Sequence, residues 1–552
     1  MARTPIPARK GRIETPRIEV ENPGRGLNTL VSDNMIDDRE SPANLNIWYT
    51  EGGAPGKRNG YHAIGTGLSN APRGLGSYRD SAGNKYLVTV DGTALKYLNA
   101  FTAASAWATA AGSISHTSGS QVTFTSAGGY LFIWNGAEGG SYFDGTTETR
   151  PGTMPKAKFG LYYKGYHFAS GVDGQLNRLY IAEPLDPTDF TNASGATTLN
   201  NSTEVPGATS FTDTASAPAQ FIDIEKNDGD KITGLATFQD SIIVFKERSI
   251  HQITLDSSGI PSVALITRSS GCVSHKSIEN VENDVFYLSR NGYFVLGNEP
   301  NFFNAIRTNE LSARIHGNIE LISETNLNLT TSIFYDYKFH SAVPEGGTTT
   351  NNVLWSYDRR FLSWSKSSPA SLNAESFSTL IDTSNIEHLF FTSSTSAQIY
   401  EMDANFTDAG TAIPAYWDSK AFDADAPDLQ KRWNYVDLLF RQVSGTVSIS
   451  IFTDNGELAA SASIVPAAGG GELGTMLLGE ELLGGDPADQ VDVEVNTTNV
   501  PYRIPVRKTS RTLKIRVENN SNNQNFVLVG MYFGYTPYSQ YKFNSSNKLT
   551  VS

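Results

Sequence analysis

The sequence has few of the residues that several functional classes require. Cys272 is the only cysteine in 552 residues, so no intrachain disulfide can form and packing or assembly must supply stability. The eight histidines show no metal-ligand spacing. Because no run of about 18 apolar residues occurs, we expect no membrane span. The start, MARTPIPARK, has no apolar core after its basic residues, so we do not expect a secretory signal.

Positive charge is also scarce. Only 18% of the residues are charged, and 57 acidic against 43 basic residues give a formal net charge of −14. A general nucleic-acid binder has a basic footprint, so this balance argues against that class. It does not exclude a protein that meets DNA without holding it, because a negative wall repels phosphate and lets DNA slide past.

The motifs of common enzymes are missing. There is no Gly-x-Ser-x-Gly elbow, no His-Glu-x-x-His pair and no phosphate-binding glycine loop. The sialidase repeat Ser-x-Asp-x-Gly-x-x-Trp does not occur, and residues 77–83 resemble it only loosely. We therefore predict that the protein is not an enzyme, and we assign no catalytic, cofactor-binding or metal-binding residue and no cofactor.

One acidic cluster is considered as a metal site. It consists of Asp223, Glu225, Asn227, Asp228 and Asp230, around Asp228-Gly229. The cluster lacks the spacing of an EF-hand calcium loop. We expect a hairpin turn with solvated acids.

Short strands and turns are what the sequence contains in quantity. It has 49 glycines, 24 prolines and 11% aromatic residues, a composition typical of many short strands joined by turns. Residues 234–255, GLATFQDSIIVFKERSIHQITL, form a strand–turn–strand pattern around the apolar run 242–245. Because that run has no polar alternation, its strand should be buried on both faces. A hairpin covered on both faces needs sheets stacked on either side, and the β-propeller supplies them.

The same pattern recurs along the chain. Apolar hairpin segments begin near residues 86, 130, 178, 235, 285, 353 and 389. Propeller blades repeat at roughly 40–50 residues, with insertions added. We predict an all-β protein in which residues 30–410 form a β-propeller of six or seven blades. A β-sandwich or several separate β-domains would also produce hairpins at ordinary spacing.

The character of the sequence changes at both ends. Residues 1–29 are basic and proline-rich, so we expect an extended arm that lies against another chain. After about residue 404, four strand candidates at 435–440, 447–452, 512–517 and 526–533 predict a C-terminal β-sandwich over 411–552. The loop 466–487, PAAGGGELGTMLLGEELLGGDP, is too apolar to be left exposed. It should pack on its own domain or insert into a neighbouring subunit. Residues 311–322 have helical spacing and are predicted to form a connector.

Two stretches carry a family resemblance. Residues 27–61 combine an acidic loop (Asp37, Asp38, Glu40), an Asn-rich strand, glycines and Arg58-Asn59-Gly60-Tyr61. Residues 238–250 follow the pattern F-x-D-x-I-I-V-F-x-x-x-S-I, and residues 271–288 resemble a following blade. The chain thereby resembles the tail-tube, nozzle and hub proteins of short-tailed bacteriophages over about residues 25–440.

This resemblance implies a structural virion protein. It would form a tail nozzle or hub ring, expected to be a hexamer, that extends the portal–adaptor channel, retains packaged DNA and conducts it during ejection. The implied partners are further copies of the chain, the tail adaptor below the portal, tail fibres or spikes, and passing double-stranded DNA bound without sequence specificity. The implied location is the virion tail, assembled in the bacterial cytoplasm.

The alternative is a receptor- or carbohydrate-binding tail protein. Such a protein would repeat exposed Trp or Tyr with Asp or Asn in each blade. The aromatic residues here, such as Trp134, Phe245 and Trp355, lie inside apolar runs and suit core packing.

Overall fold

The computed structural model describes residues 16–50, 52–183, 185–190, 220–226, 228–255, 261–298, 306–369, 373–382, 384–402, 405–454, 456–464 and 501–537. The chain divides into two compact units. The first contains residues 1–58 and 414–552 and is called the sandwich below. The second contains residues 59–413 and is called the propeller.

The propeller contains seven sheets that follow one another along the chain, and each is one blade. Their strands are antiparallel, except that Thr407–Asp408 pairs parallel with Tyr61–Ile64 in blade 7. Blade 1 consists of Leu75–Arg79, Lys85–Asp91, Ala94–Leu98 and Ala108–Thr109, and blade 2 of Thr123–Ala127, Tyr130–Trp134, Ser141–Phe143 and Glu148–Thr149. Blade 3 consists of Phe159–Tyr163, Tyr166–Ser170, Arg178–Ile181 and Gln220–Asp223. Blade 4 consists of Ile232–Phe238, Ser241–Lys246, Ile250–Leu255 and Pro261–Thr267.

Blades 5 to 7 continue the series. Blade 5 consists of Glu279–Val281, Asp284–Ser289, Gly292–Asn298 and Ile306–Glu310, and blade 6 of Thr331–Tyr335, Lys338–Val343, Val353–Asp358 and Ser363–Ser367. Blade 7 consists of Ala374–Ile381, Glu387–Ser393, Ile399–Met402 and Tyr61–Ile64. The short strands Thr407–Asp408 and Thr411–Ala412 are added at the edge of blade 7.

The ring closes through the first strand of the unit. Tyr61–Ile64 pairs antiparallel with Ile399–Met402 and so completes blade 7. The first strand of each blade contacts the first strand of the next, and that of blade 7 contacts that of blade 1. The predicted propeller is therefore confirmed, and the number of blades is seven.

Blade 4 shows why the apolar runs form this fold. Ile242 and Val244 pack with Phe168 and Leu179 of blade 3, whereas the alternate residues Ile243 and Phe245 pack with blade 5. All four blade 4 side chains are completely buried. The prediction that this strand is covered on both faces is confirmed.

The sandwich has two antiparallel sheets. One is ordered Ile47–Tyr49, Pro55–Lys57, Phe526–Pro537, Lys431–Val443 and Tyr502–Ser510, with Arg17–Glu21 also paired to Phe526–Pro537; the other is ordered Asn44–Leu45, Ala415–Asp418, Leu513–Asn519, Val447–Thr453 and Leu458–Ile464. Alternate residues of both sheets, including Trp433, Ile449, Val517 and Phe533, form one buried core.

The N-terminal boundaries differ from the predicted ones. Residues 30–58, predicted as propeller, belong to the sandwich, because Asn44–Leu45 pairs with Ala415–Asp418 and Gly56 lies opposite Val527. The predicted arm 1–29 also contains a strand of the sandwich, since Arg17–Glu21 pairs with Phe526–Pro537. Residues 1–15 and the loop 466–487 lie outside the described residues.

Helices are few and short. The predicted helix 311–322 appears as Ala313–Ile315 and His316–Ile319, since Gly317 and the surrounding β-branched residues favour helix only weakly. The other helical turns are His275–Ser277 and Glu324–Leu329. No helix in the described part of the chain is long and apolar enough to cross a membrane.

Candidate functional site at the centre of the propeller

The first strands of several blades surround a cavity of about 310 Å³. Its wall comes from blades 1, 2, 5, 6 and 7, together with the helical turn His275–Ser277 before blade 5. Hydroxyl groups are frequent in the wall and are contributed by Ser77, Thr123, Ser126, Thr331, Ser332, Ser376 and Ser378. The cavity, called the chamber below, is therefore open to solvent and has a mostly polar wall.

A charged network crosses one side of this chamber. Lys276 Nζ lies 3.1 Å from the backbone oxygen of Glu375 and 3.4 Å from its Oε1. Arg73 Nη1 lies 3.6 Å from the other carboxylate oxygen, Oε2. Burial lowers the pKa of Lys276, and the charge of Glu375 offsets part of that effect. One carboxylate thus joins blades 1, 5 and 7.

Glu279 brings a second carboxyl group to the chamber. No cation pairs with it in the described part of the chain, and the backbone N–H of Phe334 donates a hydrogen bond to its carboxyl group. Desolvation raises the pKa of Glu279 to about 8, and the hydrogen bond from the Phe334 N–H opposes this increase.

His275 is held as a neutral base. Its ring stacks on Phe159 with centroids 4.6 Å apart, and the Leu235 N–H donates to its Nδ1 at 3.4 Å. Burial, followed by the charge of Lys276, lowers the pKa of His275 to about 4. Over the described residues, no hydroxyl group is hydrogen-bonded to His275. The chamber thus offers hydroxyl groups and charge, without an imidazole-activated nucleophile.

His116 and His251 are among the histidines that form buried contacts with acids or hydroxyls. His116 Nε2 lies 2.7 Å from Glu148 Oε1, which also accepts from the Ser141 hydroxyl. His251 lies 3.2 Å from the Ser249 hydroxyl, which contacts Asp230. In both groups the imidazole and hydroxyl are almost inaccessible to solvent, so a substrate could not reach them.

The acidic cluster at 223–230 is paired rather than solvated, so that expectation was wrong. Asp223 accepts two hydrogen bonds from Arg178, at 2.7 and 3.0 Å, and is buried. Asp228 pairs with Lys246, whose side chain is completely buried. Asn227 lies outside the described residues. Throughout the part of the chain that the structure describes, no group of three or more His, Cys, Asp or Glu residues could hold a metal ion.

The residues that carry the family resemblance have architectural positions. Arg58 is completely buried and donates from Nε to Asn46 Oδ1 at 2.9 Å. A Cβ at Gly60 would lie 1.9 Å from the Thr407 carbonyl oxygen. Tyr61 packs edge-on against Phe391, with ring centroids 5.2 Å apart. This motif therefore builds the fold instead of lining the chamber.

Cys272 has no accessible reactivity. The thiol is completely buried, donates to the Ser274 carbonyl at 3.1 Å, and has its pKa raised to about 11 by desolvation. Such a thiol stays protonated and acts as a small apolar side chain.

Comparison with known proteins assigns no family to this chain. No protein-family model matches the sequence, and no curated protein matches it significantly. Among solved structures, the chain is similar to YCF48 bound to D1 peptide, with 8% identity, 66% of this chain and 99% of that chain covered, and a TM-score of 0.37. It is also similar to the extracellular domain of the one component system BT4673 from B. thetaiotaomicron, with 9% identity, 75% and 49% coverage, and a TM-score of 0.36. The chain thus spans about half the length of that BT4673 structure.

Proposed function

We propose that this chain is a structural protein of the virion tail. Copies of it form a nozzle or hub ring, expected to be a hexamer, which extends the portal–adaptor channel of a short-tailed phage. The ring retains packaged DNA, conducts it during ejection, and contacts the tail adaptor and the fibres or spikes. The protein acts without catalysis in this proposal.

The observation that carries the proposal is the architectural use of the resembling residues. Tyr61 and Gly60 belong to the strand region that closes the propeller, and residues 234–255 form the doubly buried hairpin of blade 4. Residues 44–49 supply strands to both sheets of the sandwich. A motif whose role is to build the fold is expected in a family of structural proteins.

Net charge supports the proposed role in conducting DNA. Each phosphate that a protein neutralises adds salt-dependent affinity, which would retard DNA moving through a tube. A chain with a formal charge of −14 avoids that penalty over most of its surface. We expect acidic residues to outnumber basic ones on the channel wall.

Native mass spectrometry of the purified protein, combined with electron microscopy of virions, tests the proposal. We expect a closed oligomer that persists at moderate salt, since stable ring contacts bury well above about 2,000 Å². Gold-labelled antibody against the chain should mark the distal tail. A stable monomer that binds or hydrolyses a glycan and is absent from the tail would contradict the proposal and support the receptor-binding alternative.

A further inference from the structure

One segment of the sandwich has a charge opposite to that of the protein as a whole. Residues 502–517, YRIPVRKTSRTLKIRV, contain six basic residues and no acidic residue. They form most of the strands Tyr502–Ser510 and Leu513–Asn519. In a chain with a net charge of −14, such a segment needs a physical explanation.

Part of this charge is neutralised within the sandwich. Arg503 donates twice to Asp437, with both distances 2.7 Å, and Arg516 pairs with Asp418. Lys514 lies 2.8 Å from Asp33. These cations hold strands and loops of the same unit together, and each has a carboxylate partner within the sandwich.

The remaining cations cluster at one side of the unit. They are Arg432, Arg507, Lys508 and Arg511, all exposed, and are called the basic edge below. Arg432 lies opposite Thr509, and Thr509 stands between Arg507 and Arg511 in the sequence. Lys508 has one exposed partner, Glu457. Among the described residues, no acidic side chain pairs with the guanidinium groups of the three arginines, although the backbone N–H of Arg511 donates to Asp454 at 3.5 Å.

The backbone is irregular at Arg507, one of the exposed arginines. Pairing runs from Trp433–Lys508 to Tyr435–Pro505, so a bulge contains Arg507. Arg507 has a φ of 52°, a left-handed conformation that residues other than glycine seldom adopt. Tyr502–Ser510 is the last strand of its sheet in the described structure, and it touches Leu458–Ile464, the last strand of the other sheet. Arg507 and Lys508 thus lie on an edge strand of the sandwich, and Arg432 lies on the strand paired with it.

Apolar side chains accompany the cations. Leu458 is 50% exposed and directly follows Glu457, the partner of Lys508. Tyr502, at the start of the same edge strand, is 36% exposed. Protein interfaces favour Arg and Tyr with apolar neighbours, whereas phosphate contacts need only cations and donors. The mixture favours a protein partner over a nucleic acid.

We propose that the basic edge docks onto an acidic surface of a second copy of this chain. The proposal rests on the proposed ring and names one of its contact surfaces. Each copy is strongly anionic, so two copies repel except where one presents cations, and charge complementarity then sets both partner and orientation. Arginine suits this role because its planar guanidinium binds carboxylates through two hydrogen bonds. A contact between a basic surface and a different, acidic surface repeats head to tail, as a ring requires.

The test is the triple variant Arg432→Gln, Arg507→Gln and Arg511→Gln. Its matched control, Arg79→Gln, Arg248→Gln and Arg290→Gln, removes the same charge from exposed positions of the propeller. Native mass spectrometry and sedimentation velocity measure assembly, and circular dichroism checks that each variant is folded. We expect the control to assemble like the wild type, while the basic-edge variant needs an about tenfold or higher concentration. The triple Lys variant, which keeps the charge, should recover part of the assembly.

The other outcomes are distinguishable. If the basic-edge variant assembles like the control, the proposal is wrong. If the variant precipitates, the cations protect an edge strand from unwanted pairing, and the proposal is again wrong. Loss of binding to a short DNA duplex, with assembly unchanged, would assign the basic edge to nucleic acid instead. If the Gln variant does not fold, assembly of the wild type and of the Lys variant is compared in low and high salt, and assembly of both that does not weaken as salt rises overturns the proposal. A monomeric wild type contradicts the proposed function itself.

Discussion

His388 and Glu401 lie on neighbouring strands of blade 7, with Nδ1 of the imidazole 2.7 Å from Oε1 of the carboxylate. Nε2 of the same ring lies 3.4 Å from Asp382, and His62 Nε2 lies 3.6 Å from the other oxygen of Glu401. Because His62 belongs to the strand that closes the propeller, Glu401 connects the closing strand to the rest of the blade.

The first prediction concerns pH. Burial alone would lower the pKa of His388, but Glu401 and Asp382 outweigh it and hold the pKa above 6.5. The stabilisation is therefore complete below about pH 6.5 and is lost as the pH rises through the folded-state pKa. His388→Asn should lower the free energy of unfolding by about 1 kcal/mol at pH 5.5 and by less at pH 8.5. Urea unfolding at both pH values measures this, with exposed His316→Asn as control. An equal loss at both would contradict the assignment.

The second prediction concerns Gly60. A Cβ there would meet the Thr407 backbone at 1.9 to 2.8 Å, so the closing strand must move. We expect Gly60→Ala to lower the free energy of unfolding by about 2 kcal/mol or more, as overpacking against backbone does. Gly152→Ala is the control, because nothing lies within 4 Å of its added Cβ. Thermal unfolding compares the two, and equal midpoints would show that the close approach is absent.

The third prediction concerns Val244, which is completely buried between blades 3 and 4. Val244→Asp places a carboxylate there without a partner and should lower the free energy of unfolding by about 3 kcal/mol or more. Leu265→Asp introduces the same charge on the exposed outer strand of blade 4 and should cost far less. Soluble yield and chemical unfolding measure both variants. A mild effect at Val244 would mean that this strand is open to solvent.

The fourth prediction concerns the unequal burial of an ion pair. Lys246 is completely buried, whereas the side chain of Asp228 is 21% exposed. Asp228→Asn leaves the buried ammonium group of Lys246 without its carboxylate partner, so we expect the free energy of unfolding to fall by about 3 kcal/mol. Lys246→Met leaves a carboxylate that water can reach, and its loss should be smaller. Urea unfolding at pH 7 gives the order, and the reverse order would show that Asp228 is the desolvated partner.

The local sequence was sufficient to predict a strand and its buried faces where the apolar pattern of that strand alone shows which side chains must be buried. The run 242–245 predicts a strand covered on both faces because alternate residues must each find an apolar neighbour, and blades 3 and 5 provide them. The sandwich strands near 447–452 and 512–517 were equally clear, since one face is apolar and the other polar.

What the sequence did not reveal depends on distant partners. Strand Ile47–Tyr49 is short, and the sheet it joins is completed by residues near 527, so its assignment to the sandwich has no local signal. The acidic residues at 223–230 were expected to be solvated because their partners, Arg178 and Lys246, lie on other strands and are not evident from the local sequence. Likewise, the charges around Glu375 come from three blades with no common motif.

The use of Tyr61–Ile64 as the last strand of the last blade affects the order of events on the ribosome. This strand leaves the ribosome early, yet its partner Ile399–Met402 is translated only after most of the propeller. At a translation rate of about 5–20 residues per second, roughly 20–70 s pass before the first strand can pair with its partner. The sandwich waits longer, because its early strands need Phe526–Pro537. A nascent chain that ends before Ile399–Met402 can complete neither unit, and one that ends before Phe526–Pro537 cannot complete the sandwich, so only nearly full-length polypeptides have the surfaces of both units.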